Sequence, residues 1–223
     1  MRRNGKQVCV IGLGHFGAGL ARTLAEHCEV LAVDSDIQRV NDIADDVQSA
    51  LCLDAREFHA LSAAVTADFD EAVVCIGEQI EASILCSLHL RRIGVPVVRA
   101  KAVGPDHAEI LRAIGVTHIV FPELETARRL SLQMMNPNLL DFIPLAGDYR
   151  VMDIASPPGF VGHTFEDLRI RTRLGLLVIA VKTDGGKGFE FLPGPAYVVK
   201  EGDVLVTIGK ESDLLKLRDA EGA

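Results

Sequence analysis

No stretch of this 223-residue sequence is apolar for long enough to cross a membrane. The longest unbroken run, Leu176–Val181, has six residues, where a spanning helix needs about 20. The opening Met-Arg-Arg-Asn-Gly-Lys is basic, but Val8–Leu13 behind it is short, ends in glycines and offers no small-residue cleavage site. No signal peptide is expected. Positive charge is scarce as well: 31 acidic side chains face 23 basic ones, a formal net charge of −8. The basic residues are scattered apart from pairs such as Arg91-Arg92 and Arg128-Arg129. A surface of that sign repels a phosphate backbone, which argues against a nucleic-acid partner. The five cysteines (Cys9, Cys28, Cys52, Cys75, Cys86) include no C-x-x-C and no zinc-ligand spacing. Cys9, Cys52 and Cys75 fall in apolar segments where a free thiol serves as a small hydrophobe, and their odd number fits a reducing compartment. A soluble protein of a bacterial-type cytoplasm is expected.

What is present is core material: 48% of the residues are hydrophobic, well clear of disordered compositions. From Gln7 to Phe121 short β-branched runs alternate with segments of helical length. Val8–Ile11, Glu29–Val33, Ala50–Leu53, Glu71–Ile76, Val95–Arg99 and His118–Val120 read as strands. Phe16–His27, Ile37–Asp45, Glu57–Thr66, Gln79–Ile93 and Pro105–Ile114 read as the helices between them. Continuous apolar strands separated by helices predict a parallel sheet covered on both faces, here an α/β, Rossmann-type doubly wound sheet. Glu123–Met135 reads as one more helix, stopped at Pro137, which lacks a donor and biases Asn136 away from α geometry. The spacing places a domain boundary there, giving residues 1–137 and 138–223. In the second part Tyr149–Ala155, Leu176–Lys182 and Asp203–Ile208 look like strands. Turn signals at Pro157-Pro158-Gly159, Asp184-Gly185-Gly186 and Glu201-Gly202-Asp203 break them, and Phe165–Ile170 and Ser212–Leu217 read as short helices. A small α+β domain is expected.

The sharpest motif is Gly12-Leu13-Gly14-His15-Phe16-Gly17, which follows a strand and opens a helix. Gly12 permits the tight turn, Gly14 lets the backbone approach a diphosphate, and Gly17 allows close helix–strand packing. The helix N-terminus offers free N–H groups and the positive end of its dipole to phosphates. Asp34, at the end of the second strand, is placed to accept hydrogen bonds from ribose hydroxyls and to repel a 2′-phosphate. Strand, loop, helix, second strand and terminal acid together predict a site for an adenine nucleotide. Catalytic equipment is missing by contrast. No Ser/His/Asp set, H-E-x-x-H or G-x-x-x-x-G-K-[ST] is found, and the second domain supplies one histidine, His163. Binding without chemistry suits a sensor. An NAD-dependent oxidoreductase or redox sensor is the alternative; it would need an acid–base group beside the nicotinamide.

Cys9–Gly17 (CVIGLGHFG), Val30–Asp34 (VLAVD), Val74–Ser83 (VCIGEQIEAS), Ala100-Lys101 and Gly115–Glu123 (GVTHIVFPE) together resemble the RCK proteins, regulators of potassium conductance. Gly162–Leu168 and Glu201-Gly202-Asp203 before VLVTIG (Val204–Gly209) extend the resemblance to the C-terminal module of that family. The chain looks most like the stand-alone cytosolic subunits of Ktr and Trk potassium uptake systems. The resemblance implies a crossover helix between the domains, pairing into a homodimer and assembly into an octameric ring. The ring would press on a membrane-embedded potassium channel subunit, which would hold the protein at the inner face of the cell membrane. It implies ATP or ADP in the cleft, or NAD(H) in Trk-like members, and in some members cyclic di-AMP at a second site, for which Arg169, Arg171 and Arg173 are the basic candidates here. Carried over by position, Asp34 would hold the ribose, Asp54 would sit near the adenine, Gly77 and the residues after it (Glu81 among them) would border the cleft, and Lys101 would meet phosphate. Glu123 would help hold a cation such as Mg²⁺ or Ca²⁺ at the dimer interface.

Each assignment has a plainer reading. Asp54 could cap the helix that follows it, Glu123 could be a first-turn acid favoured by the helix dipole, and Lys101 could be solvated. The sequence also departs from the family in one place: His15 stands in the glycine loop where arginine is common. Arginine is always charged and grips phosphate through two donors, whereas an imidazole near neutral pH is only partly charged. A weaker grip on a triphosphate is the consequence expected.

Overall fold

The computed structural model of the chain describes residues 5–136, 138–183 and 187–213. Its contacts divide it into two compact units, one running to Glu123 and one starting at Leu124. In the first, strands β1 (Gln7–Ile11), β2 (Glu29–Asp34), β3 (Ser49–Cys52), β4 (Glu71–Val74), β5 (Val97–Lys101) and β6 (His118–Val120) form one sheet. All neighbours pair in parallel, in the order β3-β2-β1-β4-β5-β6. The helices between them are α1 (His15–Ala25), α2 (Ile37–Asn41), α3 (Phe58–Ala64), α4 (Ile80–Ile93) and α5 (Pro105–Ala113). This is the doubly wound sheet expected from the sequence.

The strand pattern explains the layering. Successive residues of a strand point to opposite faces. On β1, Cys9 and Ile11 join the core cluster that takes in Leu61 of α3, Cys86 and Leu90 of α4 and Leu111 of α5. Val8 and Val10 face the other way, towards Ala21 of α1 and Val40 of α2. Both faces are therefore apolar and covered, which is why the strands read as continuous hydrophobic runs. Each fully buried Val, Leu or Ile contributes about 1.5–3 kcal/mol to the folded state. Cys52 corrects one expectation. It is exposed, because β3 is the edge strand of the sheet, whereas Cys9, Cys75 and Cys86 are buried as small hydrophobes are.

The second unit is built on five antiparallel strands in the order β10-β9-β11-β8-β7. They are β7 (Leu139–Ala146), β8 (Tyr149–Ala155), β9 (Leu177–Thr183), β10 (Gly188–Phe191) and β11 (Val204–Lys210), with short helices α7 (Phe165–Leu168) and α8 (Ile170–Leu174). Met152, Ile154, Leu176, Val181 and Leu205 form its core. Helix α6 (Pro122–Met135) starts at the division between the units and contributes Leu132 to this second core.

Two strands went unread in the sequence, β7 and β10, and both are sheet edges. Strand β7 follows the expected domain boundary directly, and its outer part is exposed and carries Pro144. Proline lacks a ladder donor and is tolerated at an edge, so the cue that argued against a strand is compatible with this one. The expected helix Phe165–Ile170 is two short helices joined at Arg169, whose φ of 47° is left-handed. The proposed stop at Pro137, the turn Asp184-Gly185-Gly186 and the helix Ser212–Leu217 beyond Asp213 lie outside the described residues.

One buried group ties stability to pH. His107 of α5 is 3% exposed, its Nδ1 accepts the Val103 N–H at 3.4 Å, and burial holds its pKa below the ordinary 6.5. Below that value the unfolded chain takes up a proton that the folded chain resists, so stability falls as pH drops. Urea unfolding of the first domain should show this between pH 7.5 and 5.5, with a slope from this residue of at most about 1.4 kcal/mol per pH unit. His107→Leu should flatten the loss; an unchanged slope would assign it to other groups.

Candidate functional site

Strand order reverses between β1 and β4, the place where open α/β sheets bind ligands beyond the carboxyl ends of their strands. A cleft of about 680 Å³ opens there, lined by the ends of β1, β2, β4 and β5 and the loops behind them. That volume suits a small-molecule ligand.

The glycine loop forms its floor. Gly12 has φ of +93°, a backbone region that side chains rarely adopt, and a Cβ there would stand 3.0 Å from Ile76 N. A Cβ on Gly17 would lie 1.8 Å from the Gly12 carbonyl oxygen, so this glycine is what lets α1 start directly against β1. Gly14 differs: its φ is −64° and a Cβ would meet nothing within 4 Å. The chain alone makes no demand for glycine here. The open side of Gly14 is the cradle a diphosphate would occupy. No side chain caps α1 and no acid sits in its first turn, so its leading N–H groups have no side-chain acceptor. His15 and Phe16, the first two residues of α1, line the cleft and are exposed.

Asp34 has a second task that the sequence did not reveal. It is 7% exposed; Oδ2 accepts the Leu13 N–H at 2.6 Å and Oδ1 the Asp36 N–H at 2.9 Å. The carboxylate thus ties the glycine loop to the start of α2, and each oxygen keeps a lone pair for a further donor. Asp54 lines the cleft but is engaged by Arg56, whose Nη2 donates to Oδ2 at 2.6 Å and whose main-chain N–H donates to Oδ1 at 3.0 Å. The guanidinium beside it lowers the pKa of this carboxyl. It closes a turn, and the N-cap of α3 is Glu57.

Lys101 ends β5 with its side chain 13% exposed. A Cβ at Gly77 would stand 3.2 Å from its Nζ, and the Phe16 ring lies 6.0 Å away. Its ammonium group donates to Glu123 Oε1, and this hydrogen bond is the first cause of the lowered Glu123 pKa. Among the described residues no three His, Cys, Asp or Glu side chains are grouped to hold a metal ion.

Residues 8–122 match the TrkA-N domain and residues 150–222 the TrkA-C domain. Over 210 residues the chain is 34% identical to the Ktr system potassium uptake protein C of Bacillus subtilis (strain 168), covering 94% of each. The chain belongs to the RCK family. Among solved structures, the GsuK RCK domain matches this RCK chain at a TM-score of 0.63 over 99% of its length, with 20% identity. The GsuK channel bound to NAD matches at 0.61 over 99%, with 18% identity. The chain spans 48% and 40% of those two chains, and at such identity the likeness speaks for the fold alone.

Of the residues singled out from this RCK sequence, Gly12, Gly14, His15, Phe16, Asp34, Asp54, Gly77, Lys101 and Glu123 all line the one cleft. Gly17 lies beneath it as packing, and Glu81 is not on its wall. Arg169, Arg171 and Arg173 are exposed on the second domain. Sequence reasoning missed Ser35, Arg39 and Arg56, which line the same cleft. Arg39 Nη1 stands 3.6 Å from Asp34 and its Nε 3.7 Å from Asp36, three residues before it. That spacing was a usable signal; Arg56 carried none until the turn at Asp54 folded.

The two glycines separate folding from binding. Gly17→Ala should cost about 1–3 kcal/mol of stability or more, as overpacking against backbone does. Gly14→Ala should stay within about 0.5 kcal/mol in urea unfolding while weakening nucleotide binding at least tenfold.

Proposed function

We propose that this chain is a regulatory subunit of a potassium uptake system, and that its cleft senses an adenine nucleotide. The observation that carries the reading is the convergence, at the point of strand reversal, of an uncapped helix N-terminus, the open side of Gly14, the Asp34 carboxylate and the Lys101 ammonium. Asp34 would take the ribose hydroxyls, the α1 N–H groups and Lys101 the phosphates, and Asp54 and Arg56 would border the base. The relative named as a Ktr potassium uptake protein supports the transport context, and GsuK, a channel sharing this fold, is a protein bound to NAD.

In this reading two copies pair, four pairs close an octameric ring, and the ring acts on a membrane potassium channel subunit that keeps the protein at the inner face of the membrane. No helix among the described residues is long and apolar enough to cross a membrane itself. The ligands weighed are ATP against ADP, with NAD(H) as the second pair. Binding moves the ring only where one nucleotide favours one shape. Turning a 1:99 mixture into 99:1 takes a preference of about 10⁴-fold, or ~5.5 kcal/mol. The extra charge of ATP over ADP, met by Lys101 and by a divalent cation shared with Glu123, is the differential contact. Ligands to complete that cation's shell would come from the nucleotide and from a second copy of the chain.

Calorimetric titration of nucleotide-stripped protein with ATP, ADP, NADH and NAD⁺, with and without Mg²⁺ or Ca²⁺, tests the reading. Binding of ATP and ADP, with ATP strengthened at least tenfold by the cation and that gain lost in Glu123→Gln, is the expected result. Preferential NADH binding with no cation effect would replace ATP by NAD(H) as the signal. No binding of any of the four would end the sensor proposal.

A further inference from the structure

We propose that Glu123 competes with the ligand's phosphates for Lys101, so that this carboxylate sets how strongly the cleft discriminates between ligands by their phosphate charge. The inference rests on the nucleotide reading above.

The two members of the pair are held very differently. Lys101 is 13% exposed and Glu123 70%. The lysine stem is walled in, with Gly77 leaving room for Nζ where any Cβ would stand 3.2 Å from it and the Phe16 ring on another side. It has little freedom to follow a ligand. Glu123 is the second residue of α6, directly after Pro122, and its carboxylate reaches out of solvent to the ammonium. The cation is the enclosed half of the pair and the anion the solvent-facing half.

A phosphate delivered from the α1 N-terminus to Lys101 therefore arrives where Glu123 already sits. The carboxylate must yield the ammonium, and while it stays near it repels a group of like charge. Both effects oppose phosphate and have the same sign. Neither touches the nucleoside part of a ligand, which lies towards Asp34 and Asp54 at the ends of β2 and β3. The other cations lining the cleft are also matched, Arg39 with Asp34 and Arg56 with Asp54, but those pairs border the nucleoside end. Glu123 is thus the residue whose pairing selects on phosphate. Ion pairs with an exposed partner are worth a few-fold in an equilibrium constant, so the competition should amount to about 2- to 5-fold in ADP affinity.

The sign separates this role from that of a metal ligand, because without metal the loss of Glu123 should improve binding. Nucleotide-stripped full-length protein is titrated in EDTA with ADP, and with adenosine by displacement of ADP, for wild type, Glu123→Gln, Lys101→Gln and the double variant. Glu123→Gln should tighten ADP about 2- to 5-fold and leave adenosine unchanged. Lys101→Gln should weaken ADP and cut the gain from Glu123→Gln to less than half, since only the repulsion remains. ADP affinity unchanged or weaker in Glu123→Gln, with wild-type binding intact, overturns the competition. An equal gain for adenosine overturns it too, by revealing a general loosening of the cleft. Wild-type protein that binds neither ligand overturns this inference, and failure of ATP, NADH and NAD⁺ to bind as well removes the nucleotide reading with it.

Discussion

Helix α1 lies so close to the end of β1 that a Cβ at Gly17 would stand 1.8 Å from the Gly12 carbonyl oxygen. That approach aims the first N–H groups of the helix at the space beyond the sheet, and it sets the curve of the loop through Gly12 and Gly14. Asp34 then fixes the loop from the neighbouring strand by accepting the Leu13 N–H at 2.6 Å. The remaining walls, at the ends of β4 and β5, are placed by the sheet itself. The site thus hangs on one backbone contact that only glycine allows, reinforced by one buried carboxylate.

The cations of the cleft are held in pairs. Asp34, Asp54, Glu78 and Glu123 line it against Arg39, Arg56 and Lys101, and each of the three cations is matched with a carboxylate. A polyanionic ligand cannot simply be attracted to such a wall; it must exchange partners with it. Exchange makes affinity depend on what the displaced carboxylates do next. The pairs at Arg39 and Arg56 join residues five and two positions apart in the chain, whereas Lys101–Glu123 joins β5 to the start of α6.

The second domain follows simpler rules. Its antiparallel sheet buries Met152, Ile154, Val181 and Leu205 on one side, and inner strands β8 and β11 show the alternation of a half-buried sheet. Its edge strands were the ones missed. In β10 both phenylalanines, Phe189 and Phe191, are more than half exposed. In β7 the outer half is exposed and contains Pro144. An edge strand has pairing on one side only, so neither continuous apolarity nor strict alternation is required of it, and sequence pattern is a weak guide.

The doubly wound sheet is legible in the residues alone, because strands covered on both faces must be apolar throughout and helices must alternate with them. So are the glycine loop and the acid at Asp34, since strand, turn and helix are local and their spacing is fixed by backbone geometry. The C-terminal edge strands and the exposure of Cys52 were decided by the folded sheets, each by whether a neighbouring strand covers the segment. So was the meeting of Lys101 with Glu123. These residues lie on different elements 22 positions apart, and they come together because β5 and β6 are neighbours in a parallel sheet and both end on the same side of it. Local propensity carries no information about that neighbour; only the folded sheet supplies it.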